Sequence, residues 1–370
     1  MRLGILTSSR ADFGIYLPLL KELNNDSFFD ISLIVFGSHL SKNHGYTIQE
    51  IYQNGFKPRY ILETIFYDDS PLGIAQSITN TFKHFDKFWG QYYKTFDLIL
   101  CLGDRYEMYA AVSSGIPFGI KYAHLHGGET TLGSIDNIYR HSITLASKIH
   151  FTATSHFKKR VKSLLGVAEN IFIIGSLSLD GVMNTNNLSI SEFSHKWNMD
   201  LRIPTILVTV HSETVAFVDV QHHCDELLKT LLELAKKYQI LITMPNADTN
   251  SSVVRNMIET NLRHKNNFFI YENLGKQSYF TAMNYCSFLL GNTSSGIIEA
   301  ASFKKFVIDL GERQKGRLSS KNILHSNYKF DEILSCVKQI ELNNYEFKGK
   351  NIYYKKNVAI KIINILKSIR

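Results

Sequence analysis

Short apolar runs recur along the chain, and each closes on a small cluster of glycine, hydroxyl and charged residues before an amphipathic stretch begins. In the first half the runs are Arg2 to Ser8, Phe29 to Gly37, Asp97 to Leu102, Phe118 to Ala123, Lys148 to Thr154 and Ile171 to Ile174. Runs this short, bounded by turn residues, read as strands buried on both faces. Between them, apolar positions return at helical spacing. The stretch Pro71 to Phe96 carries Ile74, Ile78, Phe82, Phe85 and Trp89, spaced by four, four, three and four, which predicts a long helix with these side chains in the core. Shorter helices are expected from the turn after Gly14 to Leu23, over Thr47 to Tyr52, Ile135 to Ser147 and Phe157 to Leu165. Strand and helix alternate as in a doubly wound parallel sheet.

The segment Gly175 to Gly181, G-S-L-S-L-D-G, breaks this pattern and is the expected hinge. A second alternation then starts with strands Thr205 to Val210, Ile240 to Met244, Phe268 to Tyr271, Ser287 to Leu290 and Phe306 to Leu310, and helices Asp219 to Tyr238 and Gln277 to Tyr285. An apolar tail helix is expected from about Asn357 to Lys367. The domains are therefore placed at 1–178 and 179–352, with 353–370 as a C-terminal helix. A chain of 370 residues also favours two cores over one.

Composition narrows the class. The hydrophobic fraction of 44% is that of a globular protein. No run is long and apolar enough for a membrane span, and Met1 to Thr7 reads as a strand rather than a signal peptide, so a soluble, cytoplasmic protein is expected, with no membrane partner. Cys101, Cys224, Cys286 and Cys336 are scattered without a C-x-x-C pair, which gives no support to a disulfide framework or a zinc knuckle. His222, His223 and Cys224 sit together on a helix but do not share a face, so neither a metal nor another cofactor is expected. The net charge of +8 is partly local, because the tail from Lys348 to Arg370 holds seven basic residues and no acidic one. No nucleic-acid motif accompanies it, and the balance suits a phosphate-bearing small substrate instead.

The chemistry gathers where strands end. The stretch Ala123 to Ser142 holds three histidines, two carboxylates, one arginine and three glycines in a strand-to-helix turn, the edge at which parallel sheets bind ligands. Arg10 and Asp12 follow the first strand, His39 the second, and Asp104, Arg105 and Glu107 the Asp97 to Leu102 run. In the second half, His211 follows a strand, Asn246 and Asp248 another, and Asn292, Thr293, Ser294 and Ser295 open a helix whose free N–H groups suit a diphosphate. Glu299 lies one turn on, and Arg313 stands in G-E-R-Q-K-G-R. Polar strand ends in two α/β halves imply a binding cleft between domains.

Taken together, these motifs resemble the hydrolysing UDP-N-acetylglucosamine 2-epimerases of sialic acid and related nonulosonic acid biosynthesis. The likeness rests on S-R-A-D-F-G at Ser9 to Gly14, G-S-H-L at Gly37 to Leu40, G-D-R-Y-E at Gly103 to Glu107, and H-G-G-E followed by I-D-x-x-x-R-H-S ending at Ser142. It continues through P-N-A-D at Pro245 to Asp248, G-N-T-S-S-G-I-I-E at Gly291 to Glu299, and G-E-R-Q-K-G-R at Gly311 to Arg317. The resemblance implies two Rossmann-like domains in a glycosyltransferase-B arrangement, with an interdomain active-site cleft and a C-terminal helix returning to the first domain. It implies acid–base carboxylates at Asp104, Glu129 and Asp136, with His211 as a further catalytic group. Substrate contacts are implied at Arg10, Ala11, Asp12, His39, Arg105, His126, Arg140, Asn246, Asp248, Leu274, Thr293, Ser294, Ser295, Glu299 and Arg313. Where some relatives carry H-I-E-G-G-E, this chain has His124, Leu125 and His126, so His126 replaces a glutamate. The expected partners are a UDP-sugar substrate and UDP, with a homodimer or homotetramer as the assembly. A glycosyltransferase of the same architecture and a non-catalytic sugar-nucleotide binder remain the alternatives, and release of UDP without an acceptor separates the three.

Overall fold

The computed structural model describes residues 1–370 except 43–44, 65–67, 69, 181, 183–186, 214–219, 246–250 and 370. The chain divides into two compact units: residues 1–129, 135–181 and 353–370 form one, and residues 130–134 and 182–352 the other.

In the first unit, strands β1 (Arg2–Thr7), β2 (Asp30–Phe36), β3 (Tyr60–Leu62), β4 (Leu98–Leu102), β5 (Tyr122–Leu125), β6 (Ile149–Thr152) and β7 (Ile171–Ile173) form a parallel sheet in the order β3-β2-β1-β4-β5-β6-β7. The order reverses between β1 and β4, the switch point where carboxyl-end loops diverge and leave room for a ligand. Strand β4, L-I-L-C-L, is buried at every position because helices cover both faces of the sheet. On one face, α1 (Arg10–Asn24) buries Leu19, Leu20 and Leu23 against Leu3, Ile5 and Leu100, in a core that Val358, Ile362 and Leu366 of α13 (Val358–Ser368) complete. Asp180 caps that last helix, its Oδ2 accepting the Ala359 N–H at 2.6 Å. On the other face, α3 (Pro71–Tyr92) brings Phe85, Phe88 and Trp89 onto Leu6, Ile34 and Ile99.

The structure shifts two expectations here. In α3 the buried stripe is Gly73, Ser77, Thr81, Phe85, Phe88 and Trp89, while Ile74, Ile78 and Phe82 are half-buried at its border. Small side chains allow the first turns of the helix to approach its neighbours closely. The run Phe118 to Ala123 does not form a strand from its start: Ile116–Phe118 is a 3-10 turn closed by Gly119 at φ 68°, and β5 begins only at Tyr122, drawing His124 into the sheet. Helices α2 (Ile48–Gln53), α4 (Tyr106–Gly115), α5 (Asp136–Ala146) and α6 (Ser155–Leu165) complete the crossovers.

The second unit repeats the plan. Strands β8 (Thr205–Thr209), β9 (Gln239–Thr243), β10 (Phe268–Tyr271), β11 (Phe288–Gly291), β12 (Val307–Leu310) and β13 (Ile323–Ser326) pair in parallel in the order β10-β9-β8-β11-β12-β13, reversing between β8 and β11. Its helices are α7 (Ile190–Trp197), α8 (Val220–Leu234), α9 (Ser251–Asn261), α10 (Gly275–Tyr285), the short α11 (Ser294–Ile298) and α12 (Phe330–Leu342). The core joins Ile206, Val208, Leu231, Ile240, Ile258, Leu290, Ile308 and Ile333. Among the described residues no helix is long and apolar enough to cross a membrane.

Candidate active site

At the carboxyl edge of the first sheet, four strand ends converge on a polar network. After β1, Ser9 caps α1 and the buried Asp12 carboxylate turns back to accept from the Ser8 N–H at 2.9 Å and the Ser8 hydroxyl at 2.7 Å. Burial pushes the Asp12 pKa up, against the pull of Arg105. Arg105 itself is gripped by Glu107, with Nε donating to Oε2 at 3.2 Å and an outer nitrogen to Oε1 at 3.0 Å. Glu107 is wholly buried, and desolvation raises its pKa despite the guanidinium. Glu107 thus fixes the arginine, and Asp12 feels its charge.

His39 was expected at the substrate, and the structure places it elsewhere. It is wholly buried, with Nε2 2.9 Å from the Thr7 hydroxyl and Nδ1 3.0 Å from the Thr47 hydroxyl, and burial pushes its pKa down to about 3. A neutral imidazole with both nitrogens bonded ties β1 to α2; it has nothing left for a ligand. His124 does the same inside β5, between Thr144 at 3.1 Å and the Gly103 carbonyl at 2.9 Å, with its pKa also near 3.

The H-G-G-E turn follows β5. His126 takes the left-handed conformation, φ 65°, so its ring folds back over the turn while its N–H bonds the Phe151 carbonyl at 3.0 Å. Gly128, at φ 79°, lets the turn pass beneath α6, where a Cβ would come within 2.6 Å of the Phe157 carbonyl. Glu129 is brought under His126, Oε1 to Nδ1 2.7 Å. A carboxylate only accepts, so the hydrogen in this bond belongs to the imidazole. Arg140, 2% exposed, reaches up from α5 to bind the His126 carbonyl at 3.0 Å, forms an ion pair with Asp104, and lies 3.9 Å from Glu129 Oε2. Asp104 keeps 24% of its side chain in solvent, whereas Glu129 keeps none. Glu129, expected among the acid–base carboxylates, is therefore shielded from solvent where Asp104 is not. Asp136 is the first residue of α5 and half-buried, at the positive end of the helix.

The second unit holds the rest. The Asn292 side chain, wholly buried, staples two strand ends: its Oδ1 accepts from the His211 N–H at 2.7 Å, and its Nδ2 donates to the His211 carbonyl at 2.9 Å and the Tyr328 hydroxyl at 3.1 Å. The Asn292 carbonyl accepts from Gln314 at 2.8 Å and Arg313 at 3.4 Å, which sets the arginine beside the Thr293–Ser295 turn. Gly291, at φ 143°, packs where a Cβ would meet the Thr209 carbonyl at 2.0 Å. Glu213 accepts the Glu312 N–H at 2.8 Å and fixes the Gly311 turn, with its pKa raised by burial. Glu299 is buried just past α11, and Leu274 is buried at the head of α10. Residues 130–134 pack with this unit, Leu132 N–H bonding the Lys315 carbonyl at 2.9 Å and Gly133 lying where a Cβ would strike the Glu312 carbonyl. Asn246 and Asp248 lie outside the described residues. Among the described residues no group of three His, Cys, Asp or Glu side chains is arranged to hold a metal.

Residues 21–367 match the sequence pattern of the UDP-N-acetylglucosamine 2-epimerases. The chain belongs to this family. A GDP/UDP-N,N'-diacetylbacillosamine 2-epimerase (hydrolyzing) of Campylobacter jejuni is 33% identical over 327 residues, covering 88% of this chain and 84% of its own. A UDP-N,N'-diacetylbacillosamine 2-epimerase (hydrolyzing) of Legionella pneumophila is 30% identical over 364 residues, covering 98% and 95%. The fold matches the crystal structure of UDP-GlcNAc 2-epimerase from Neisseria meningitidis bound to UDP-GlcNAc, with a TM-score of 0.83 over 100% of both chains at 17% identity.

Within this 2-epimerase fold the first unit brings Arg10, Asp12, Asp104, Arg105, His126, Asp136 and Arg140 to the strand ends of one sheet, and the second gathers His211, Thr293, Ser294, Ser295, Glu299 and Arg313 at those of the other. Sequence reasoning passed over Glu213 and Gln314 as site residues, and did not give Glu107 and Asn292 the bracing roles they have here. Their signal was there: a polar residue directly after an apolar strand and beside a motif glycine has backbone groups to satisfy.

Proposed function

We propose that this protein is a hydrolysing UDP-sugar 2-epimerase and that its substrate is UDP-2,4-diacetamido-2,4,6-trideoxyglucose, the nucleotide form of N,N'-diacetylbacillosamine. The observation that carries the reaction type is the ion-paired cluster of Asp104, Arg140, Glu129 and His126 at the strand ends of the first unit. Carboxylates and an imidazole held this way suit proton transfer, and a binder has no use for them. The two relatives named above support the substrate, since both carry this sugar in their names. UDP-N-acetylglucosamine, the substrate of the sialic acid branch, is the second candidate.

The chemistry is a C1–C2 elimination followed by hydration. The C2 proton is barely acidic, so the leaving diphosphate must be stabilised as the C1–O bond opens. Arg313 beside the Thr293–Ser295 turn supplies charge and N–H groups for this in the second unit. A carboxylate takes the C2 proton, its bonding pair forms the C1=C2 bond, and the C1–O pair leaves with UDP. Asp104, partly exposed, and Asp136, half-buried, are the carboxylates assigned to it in this reading. Water then adds across the glycal and C2 is protonated from the opposite face, which releases a free manno-configured sugar.

The test is incubation with each UDP-sugar alone in deuterated water, followed by NMR. The expected result is free UDP and a 2-epimerised sugar carrying deuterium at C2, with the diacetamido sugar nucleotide turned over faster. Conversion of a UDP-sugar into its epimer with UDP still attached would overturn the hydrolysing assignment, and release of UDP only when an acceptor is added would point to a glycosyltransferase.

A further inference from the structure

We propose that His126, with the buried Glu129 as its positioning residue, is the proton donor to C2 in the hydration half of the reaction. This rests on the hydrolysing reading above. Three observations carry it. The Glu129 side chain is wholly buried while His126 retains 8% of its surface, so the ring and not the carboxylate meets whatever lies outside. Nδ1 is committed to Glu129 at 2.7 Å, which leaves Nε2, unpartnered among the described residues, as the one ring atom able to work on a ligand. A carboxylate at that distance fixes the ring orientation and holds the Nδ1 hydrogen, so the proton to be given is one carried on Nε2.

The other groups are placed as acceptors. One Asp104 oxygen already accepts from the Arg140 guanidinium, and Asp136 stands on the positive end of α5. Inverting C2 needs a base on one face and an acid on the other. The dyad therefore takes the acid's part. In the hydration step the imidazolium Nε2–H passes its proton to C2, the C1=C2 pair becoming the new C2–H bond. The electron-poor C1 is taken by a lone pair of water, whose surplus proton goes to a carboxylate, and the imidazole is recharged from solvent. The sum is glycal plus water giving the sugar, with no other reactant. The backbone adds a constraint. At φ 65° the ring is aimed by the turn itself, and Arg140 pins that turn through the His126 carbonyl at 3.0 Å.

The experiment follows UDP, glycal and free sugar together by proton NMR, using the full chain with each UDP-sugar. For His126→Gln we expect UDP release within about tenfold of wild type, sugar formation at least a hundredfold slower, and glycal accumulating through its vinylic proton. His126→Asn, which tolerates the left-handed turn, should behave alike, and an unchanged UDP-induced melting shift would report an intact fold. Glu129→Gln should show the same partition toward glycal, partly restored in Glu129→Asp, a readout that general loosening of the fold would not produce. Equal UDP and sugar at near wild-type rates in His126→Gln would overturn the proposal, and so would UDP release and sugar formation falling in step. If wild-type protein releases no UDP from either sugar, the hydrolysing reading itself fails, and the role of the dyad with it.

Discussion

Replacing Arg140 by methionine keeps most of the volume of the side chain and removes its charge. Three groups lose a partner. Glu129 is wholly buried and keeps His126 at 2.7 Å, but the loss of the cation 3.9 Å away carries most of the penalty, up to roughly 3–5 kcal/mol for disrupting a buried charge cluster from one side. The His126 carbonyl, bonded at 3.0 Å, adds about 1 kcal/mol. Asp104 adds little, because with 24% of its side chain exposed water replaces the guanidinium. The expected loss is therefore roughly 4–6 kcal/mol, a large part of the ~5–15 kcal/mol by which domains are stable. Urea denaturation of Arg140→Met, Glu129→Gln and the double variant measures it. Because the penalty sits on the buried Glu129 charge, the double variant should be more stable than Arg140→Met by about 2 kcal/mol or more. A loss below about 1 kcal/mol in Arg140→Met, or a double variant no more stable than the single, would refute the reasoning. The charge of Glu129 would then be neutralised by His126 alone.

Two further outcomes follow from the geometry. Arg313→Ala should reduce the UDP-induced rise in melting temperature, since its guanidinium stands 3.4 Å from the Asn292 carbonyl beside the Thr293–Ser295 turn; calorimetric titration with UDP checks it. His39 and His124 both have folded pKa values near 3, below the unfolded value of 6.5, so the unfolded chain binds the extra protons and stability falls as the pH drops from about 6.5 toward 3. Each contributes up to ~1.4 kcal/mol per pH unit in that window, and His39→Gln should flatten the slope of unfolding free energy between pH 6 and pH 4 by about that amount.

The sheet strands and most crossover helices were legible because apolar runs and glycine turns are local signals. Where the reading missed, the cause is a contact that is not local. Ile74, Ile78 and Phe82 outrank Gly73, Ser77 and Thr81 on hydrophobicity, yet α3 buries the small residues because its first turns lie close to their neighbours. His39 looked like a ligand-binding residue at a strand end, and His124 was one of three histidines in a polar stretch; only the hydroxyls of Thr7, Thr47 and Thr144, remote in sequence, reveal both as core. Strand β3 is three residues at a sheet edge, too short to show a period. Helix α7 carried a readable start signal, the Ser189–Glu192 capping box, that a search for apolar periodicity alone passes over. The motif residues of the site were plain from sequence, but which of them face outward was not: Glu129 and Asp104 look equivalent until Arg140 is seen to close one in and leave the other partly open.

The first unit is not finished where its sheet ends. Its core draws Val358, Ile362 and Leu366 from α13, and about 170 residues of the other unit are translated between Gly181 and that helix. At ribosomal rates of ~5–20 residues per second, the rest of the first unit, once made, waits roughly ten to thirty seconds more with Leu19, Leu20 and Leu23 lacking their final cover. The unit translated second, all but five residues of it continuous, can close first. An emerging chain of this design exposes its beginning longer than its end, and a ribosome stalled before residue 358 would leave the first unit open to proteolysis and the second able to fold.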